Sequence, residues 1–328
     1  MDDHFNDYWH NQRVSSEQHV ISSGHIFVSV ASYRDTRCLA TIRDMFEQAA
    51  HPHKLWVGVC QQNAPSDQFD CIPNEYKSHI QIVRMGHTDA KGPTWARYLC
   101  TRLWAGQQYF LQIDSHTKFV RHWDAKTKDM YDLLPAKSII TYYPPNETSN
   151  VSDVGDLETK TTHTCGGFVN EKNELIATAQ TTPRTSYPRR ARFASGNFFF
   201  TTYKFLLEVP WDPYLPFIFQ GEEPLLSMRA FTNGWDMYHP THCVCDHYYT
   251  RTDEPKFWNE LSEQYKKYNP LAVKRCRNFL GIEAADTDVP WIYKHARVYG
   301  PGKQRSLRQW HDFIGVDWSA KTVKQSCN

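Results

Sequence analysis

Asp114, Ser115 and His116 close the run Tyr109-Phe110-Leu111-Gln112-Ile113, whose aromatic and aliphatic residues read as a buried strand. Asp114 and His116 stand two apart, so an extended backbone turns both side chains to one face. A carboxylate and an imidazole at that spacing can grip one divalent cation. The mixed oxygen and nitrogen set suits Mn²⁺, with Mg²⁺ or Zn²⁺ as alternatives. The same tripeptide is also ordinary turn chemistry, so the segments around it decide.

Four further segments carry reactive side chains. Ser32, Arg34 and Asp35 close an apolar run near the N-terminus, where an arginine can meet a phosphate and an acid can accept from a base or ribose, or the pair can supply a helix cap and a surface salt bridge. Lys91-Gly92-Pro93-Thr94-Trp95-Ala96-Arg97 is a loop entering a helix, where free backbone N–H groups, Lys91, Thr94 and Arg97 could receive an anion. Glu222 and Glu223 follow Gly221 at a helix start; they either complement the helix dipole or serve a developing positive charge. The run Cys243 to Arg251 holds His247, which competes with His239 and His242 as a third metal ligand, and Tyr249 and Arg251 follow it. Cys243 and Cys245 would need two more well-spaced ligands to form a structural zinc site.

Elements that alternate down the N-terminal half would position these groups. Strands are expected at 25–32, 54–61, 80–85, 109–113 and 138–143. Helices are expected from Asp35 or Thr36, with Leu39, Ile42, Phe46 and Ala49 on one face, from Pro93, and over 123–134. This order implies a mostly parallel sheet with helices on both faces, and ligands in such sheets sit beyond the carboxyl ends of the strands. Arg34-Asp35 and Asp114-Ser115-His116 both fall at such ends. From 145 to 164 the chain is polar and turn-rich and reads as a mobile loop. A hairpin over 165–181, a strand over 193–201, a helix over 222–233 and a helical tail from 255 complete the pattern.

With 37 Lys and Arg against 36 Asp and Glu among 328 residues, there is no basic excess to bind nucleic acid. No apolar run approaches the ~20 residues of a membrane span, and Met1 to Val20 has no signal-peptide core. The nine cysteines form no framework; Cys60 and Cys100 read as core thiols, so a reduced, cytoplasmic protein is expected and the sequon Asn146-Glu147-Thr148 would be unused. Aromatic residues at 14% suit a large core and equally surfaces on which sugar rings pack.

Together the segments IFVSVASYRD (26–35), KGPTWARYLCTRLW (91–104), YFLQIDSHTKFVRHWD (109–124), ARFASGNFFF (191–200), FQGEE (219–223), CDHYYTR (245–251) and RSLRQWHDFIGVDW (305–318) resemble the polypeptide α-N-acetylglucosaminyltransferases that modify hydroxyproline in the cytosol. That family is distantly similar to the mucin-type polypeptide GalNAc-transferases. The resemblance spans Ile26 to Trp318. It implies a GT-A glycosyltransferase fold, in which a Rossmann-like, mostly parallel sheet is fused to an acceptor-side half and a helical C-terminal segment. It implies a polar extension over 1–24, a catalytic domain over 25–254 with nucleotide-binding (25–143) and sugar or acceptor (165–254) halves, and a packed helical segment over 255–328. It implies UDP-GlcNAc as donor, a polypeptide acceptor, a divalent metal and retention at the anomeric carbon. By motif position Asp114, His116 and His247 become metal ligands. Ser32, Arg34, Asp35, Lys91, Thr94, Arg97, Ser115, Tyr249 and Arg251 fall in the donor pocket. Ser195, Gly196 and Asn197 line the sugar site, with Glu222 and Glu223 beside the transferred sugar. The sequence lacks the N-terminal anchor and C-terminal lectin module of the Golgi enzymes, which fits a cytosolic expectation.

Rival expectations are a glycosyltransferase acting on a non-protein glycan, an inactive nucleotide-sugar-binding protein, and a zinc hydrolase built on the His/Cys-rich run, which has no HExxH.

Overall fold

The computed structural model describes residues 7–11, 14, 19–147, 154–172, 174–282 and 289–324. The strands that build the site are β1 (Ser22–Tyr33), β2 (Leu55–Asn63), β3 (Ile80–Gly86), β4 (Gln107–Asp114), β5 (Thr117–Phe119), β6 (Ser138–Thr141), β7 (Lys160–Val169), β8 (Leu175–Pro183), β9 (Arg189–Arg190), β10 (Phe198–Thr202), β11 (Asp236–His239) and β12 (Cys245–His247). Eight of them form one sheet in the order β3-β2-β1-β4-β10-β6-β11-β9. β3, β2, β1 and β4 run parallel; β10 is antiparallel to both β4 and β6; β11 is parallel to β6 and antiparallel to β9.

Alternation along each strand feeds two cores. Ile26, Val28 and Val30 of β1 with Leu111 and Ile113 of β4 face the Cys38–Glu47 helix and its Cys38, Ile42, Met45 and Phe46. Phe27, Phe110 and Phe199 face the other way, against Trp95, Tyr98 and Leu99 of the Pro93–Thr101 helix. Gly58 on β2 is required by that packing, because a Cβ there would lie 2.4 Å from the Phe27 ring. A third core joins the Glu222–Thr232 helix to Ser262–Leu280 and Leu307–Ile314. The fully buried pair Asp212 and Arg275, 2.8 Å apart, ties Ser262–Leu280 to the body.

Strand direction brings distant sequence to one rim. Ala31 pairs with Asp114 and Tyr33 with Gln62 at the carboxyl ends of β1, β4 and β2. Because β10 runs the opposite way, its first residue, Phe198, pairs with Ile113. Residues 195–197, just before it, therefore arrive beside Asp114.

Several expected elements differ. The 145–164 segment is not one loop: residues 154–157 are helical, and β7 begins at Lys160 and pairs with β8 as a hairpin longer than the expected 165–181. Residues 148–153 of that segment lie outside the described residues. The expected 193–201 strand shortens to Phe198–Thr202, because the hydroxyls of Ser227 and Thr141 take the N–H groups of Ala194 and Ser195 that a ladder would use. The Cys38–Glu47 helix starts at Arg37 without a side-chain cap, so neither Asp35 nor Thr36 caps it. Leu39 and Ala49 are only half-buried; Thr41 and Met45 take their expected places on the buried face.

Candidate active site

β4 ends at Asp114, and Ser115 and His116 turn away in a bend. The two side chains are thus not placed by one extended strand, as expected, but by a turn that Asp35 organises. Oδ2 of Asp35 accepts from Ser115 Oγ at 2.6 Å and lies 2.6 Å from Nδ1 of His116. Its Oδ1 accepts the Arg37 N–H at 2.9 Å. Asp35 is fully buried. Burial alone would raise its pKa, but the bond to His116 and the charges of His116 and Arg251 win and lower it. Its carboxylate fixes the imidazole with Nδ1–H inward, which leaves Nε2 as the nitrogen for a ligand.

His247 reaches the site on β12, which is held on both edges. It pairs with Thr117 of β5. Its N–H donates to Pro145 O at 2.9 Å, and its carbonyl accepts the Glu147 N–H at 2.9 Å. Tyr248 N–H donates to His116 O at 3.0 Å, joining the two histidine segments. The segment is thus pinned into a small sheet. The competing histidines do not approach: His239 is buried against His163, and His242 lies 2.9 Å from Thr241 Oγ1.

One ligand atom each from Asp114, His116 and His247 lies within 4.8 Å of the others. Oδ2 of Asp114 is 3.0 Å from Nε2 of His247, and the Asn197 amide nitrogen is 2.9 Å from that same Nε2. The carboxylate asks Nε2 for a proton and the amide asks it for a lone pair, which no single tautomer satisfies. Nδ1 of His247 is buried without a partner. A cation that takes the Nε2 lone pair and binds the Asp114 carboxylate would satisfy that carboxylate without a proton on Nε2, so these residues fit a divalent metal. Burial would raise the pKa of Asp114, but its bond to His247 and the charge of Arg97 hold it well below the usual carboxylate range. It is therefore ionised and ready to ligate.

Behind the cluster, Arg97 Nη2 donates to Asp114 Oδ1 at 3.1 Å and Nη1 donates to Glu222 Oε1 at 2.8 Å. Thr94 Oγ1 donates to the other Glu222 oxygen at 2.6 Å. Glu223 accepts the Gly196 N–H at 2.7 Å and a short bond from Tyr143 OH. A Cβ on Gly196 would stand 2.9 Å from Arg97 Nη2, whose position is already fixed by two carboxylates. Burial is the main reason the Glu223 carboxyl is pushed up to about 7.

A cavity of about 710 Å³ runs along the rim, lined by Arg97, Asp114, Ser115, His116, Gly196, Asn197, Glu222, Glu223, His247, Tyr249 and Arg251. Six expected site residues do not line it. Asp35 stands behind His116. Thr94 holds Glu222, and Ser195 holds the Asn197 side chain and N–H. Ser32 is buried in the β1 end, where its carbonyl receives Gln62 Nε2. Lys91 sits 4.9 Å over the Trp95 ring. Arg34, at φ 47°, gives its guanidinium to Asp67 and Glu260, which ties the β1 end to the C-terminal region. Sequence reasoning missed Tyr33, Gln62, Tyr143, Lys256 and Trp258, all of which line the cavity. The clue for Gln62 was its place one strand-end from Arg34; its Oε1 is buried without a partner.

The mostly parallel central sheet is that of a GT-A glycosyltransferase fold. Among solved structures, GalNAc-T7 with UDP, GalNAc and Mn²⁺ is similar at TM-score 0.55 and 13% identity, over 91% of this chain and 58% of that one. The chain thus spans 58% of the length of GalNAc-T7. S. aureus TarS 1–349 is similar at TM-score 0.46 and 12% identity, over 81% of this chain and 77% of that one. The same protein with UDP-GlcNAc gives 0.49 and 12%, over 89% and 80%. No curated protein matches the sequence. The chain belongs to the family described as Glycosyltransferase (GlcNAc), whose pattern matches residues 25–79 and 72–320. No helix among the described residues is long and apolar enough to cross a membrane.

Proposed function

We propose that this protein transfers GlcNAc from UDP-GlcNAc, with retention, to a hydroxyl of a polypeptide, as hydroxyproline, Thr or Ser. The observation that carries the reading is the convergence of Asp114, His116 and His247 at the strand ends of a cavity about 710 Å³ in volume. The reading assigns 25–143 to the nucleotide, 165–254 to the sugar and acceptor, and 255–328 to a helical segment packed on the same domain.

Asp114, His116 and His247 would hold Mn²⁺ or Mg²⁺. When bound, such an ion neutralises diphosphate charge and so makes UDP a better leaving group. The chain's own residues do the rest. Gln62, with an unpartnered buried acceptor, suits the ring N–H of uracil. Asn197 and the Gly196 turn border the sugar, and Arg97 fixes both Asp114 and Glu222. Each of Glu222 and Glu223 has both oxygens engaged in hydrogen bonds, which supports positioning roles over attack on carbon. The acceptor oxygen then bonds to the anomeric carbon as the bond to phosphate breaks, and its proton passes to the departing phosphate oxygen. The reading includes a reducing, cytosolic setting, in keeping with the free and buried thiols of the described cysteines.

Incubation with UDP-GlcNAc, Mn²⁺ and peptides bearing Ser, Thr or hydroxyproline, read by mass spectrometry, tests the assignment. A HexNAc mass on one peptide supports it. Turnover only with a glycan acceptor moves the acceptor class, and no turnover or binding of donor overturns it.

A further inference from the structure

Lys256 lines the cavity and is half-buried, on the segment that follows the His247–Arg251 run. The charges of the two cavity-lining guanidinium groups are offset by carboxylates: Arg97 by Asp114 and Glu222, and Arg251 by Glu254 with Asp35 at 3.5 Å. The Lys256 ammonium has no hydrogen-bond or ion-pair partner among the described residues. Burial, reinforced by the charge of Arg251, lowers its pKa against the weaker pull of Glu254 and Asp35. A half-buried ammonium without a bonded partner is unfavourable until an anion reaches it.

We infer that Lys256 is a binding residue for the diphosphate of a nucleoside-diphosphate donor, supplying the positive charge that Arg97 and Arg251 have already committed. The inference rests on the donor class proposed above. Asp35 links the two regions: its charge is felt at Lys256, and its carboxylate holds His116. Lys256 lines the same cavity as Asp114, His116 and His247, in which the phosphates of a metal-bound donor would lie. As the bond to the sugar breaks, the departing diphosphate gains a third negative charge, more than one divalent ion cancels, and an ammonium is a good point-charge partner for the remainder.

The test is calorimetric titration of UDP, UMP and uridine, each with Mn²⁺, into the whole wild-type protein and the Lys256→Met and Lys256→Arg variants, whose melting curves report folding. Lys256→Met should weaken UDP by roughly tenfold or more, the worth of a charge-assisted bond, and leave uridine unchanged. Lys256→Arg should restore most of the UDP affinity. Equal UDP affinity in wild type and Lys256→Met overturns the inference while the proposed function stands. An equal loss for uridine also overturns it, since the side chain would then act through the fold. If wild type itself binds no UDP, the donor reading fails and takes this inference with it.

Discussion

Nδ1 of His116 lies 2.6 Å from Oδ2 of Asp35, so a buried carboxylate sets the tautomer and direction of a side chain in the Asp114–His116–His247 cluster. Asp35 does not touch the cavity itself. Outer partners of this kind typically cost about 10–100-fold in metal affinity when removed. Asp35→Ala should therefore weaken Mn²⁺-dependent UDP binding by about that factor with the circular dichroism of the fold retained. Unchanged Mn²⁺ affinity would show that His116 needs no such orienting partner.

His247→Ala should weaken UDP and Mn²⁺ together, whereas His242→Ala should leave both nearly unchanged. His242 lies against Thr241 and Glu158 and does not line the cavity. Since β12 is already held between β5 and residues 145–147, the His247 variant should lose affinity without a change in local protection from hydrogen exchange. Parallel titrations decide it: loss in the His242 variant with retention in the His247 variant reverses the assignment.

The Glu223 carboxyl offers a pH signature. Burial, with Glu222 adding to it, raises its pKa from 4.5 to about 7 against the opposing bonds from Gly196 and Tyr143. A folded-state value above the unfolded one means that the folded protein binds more protons between them. The associated stability is present below the unfolded value and is lost as pH rises through about 7. Glu223→Gln removes that titration, so its melting temperature should fall less than that of wild type as pH rises over this window. Identical slopes for the two proteins would remove Glu223 from the account.

The legible parts of this protein are those in which a local pattern meets a topological rule. Asp114-Ser115-His116 was readable because a strand of buried alternation ends there, and parallel strands present their ends together. The role of Asp35 was not, because a helix cap and a histidine-orienting carboxylate share the same local sequence. Arg34 looked like a free phosphate ligand because its partners, Asp67 and Glu260, are 33 and 226 residues away. Tyr143 and Gln62 carry no motif at all; Tyr143 reaches the rim just after β6, which pairs with antiparallel β10, and Gln62 on parallel β2. The 145–164 segment read as loop because its threonine-rich stretch hides the start of a hairpin, in which Thr161, Thr162, His163 and Thr164 are buried with no apolar alternation.

The most direct test of the account is calorimetric titration of UDP-GlcNAc into wild type and Asp114→Ala, each with Mn²⁺ and with chelator. Asp114 joins the cluster through one oxygen and Arg97 through the other, so its loss should abolish the Mn²⁺ enhancement while the melting curve shows a folded protein. The account predicts Mn²⁺-enhanced binding in wild type and none in the variant. Binding of equal strength with and without Mn²⁺ in wild type, or an intact Mn²⁺ enhancement in Asp114→Ala, would contradict it.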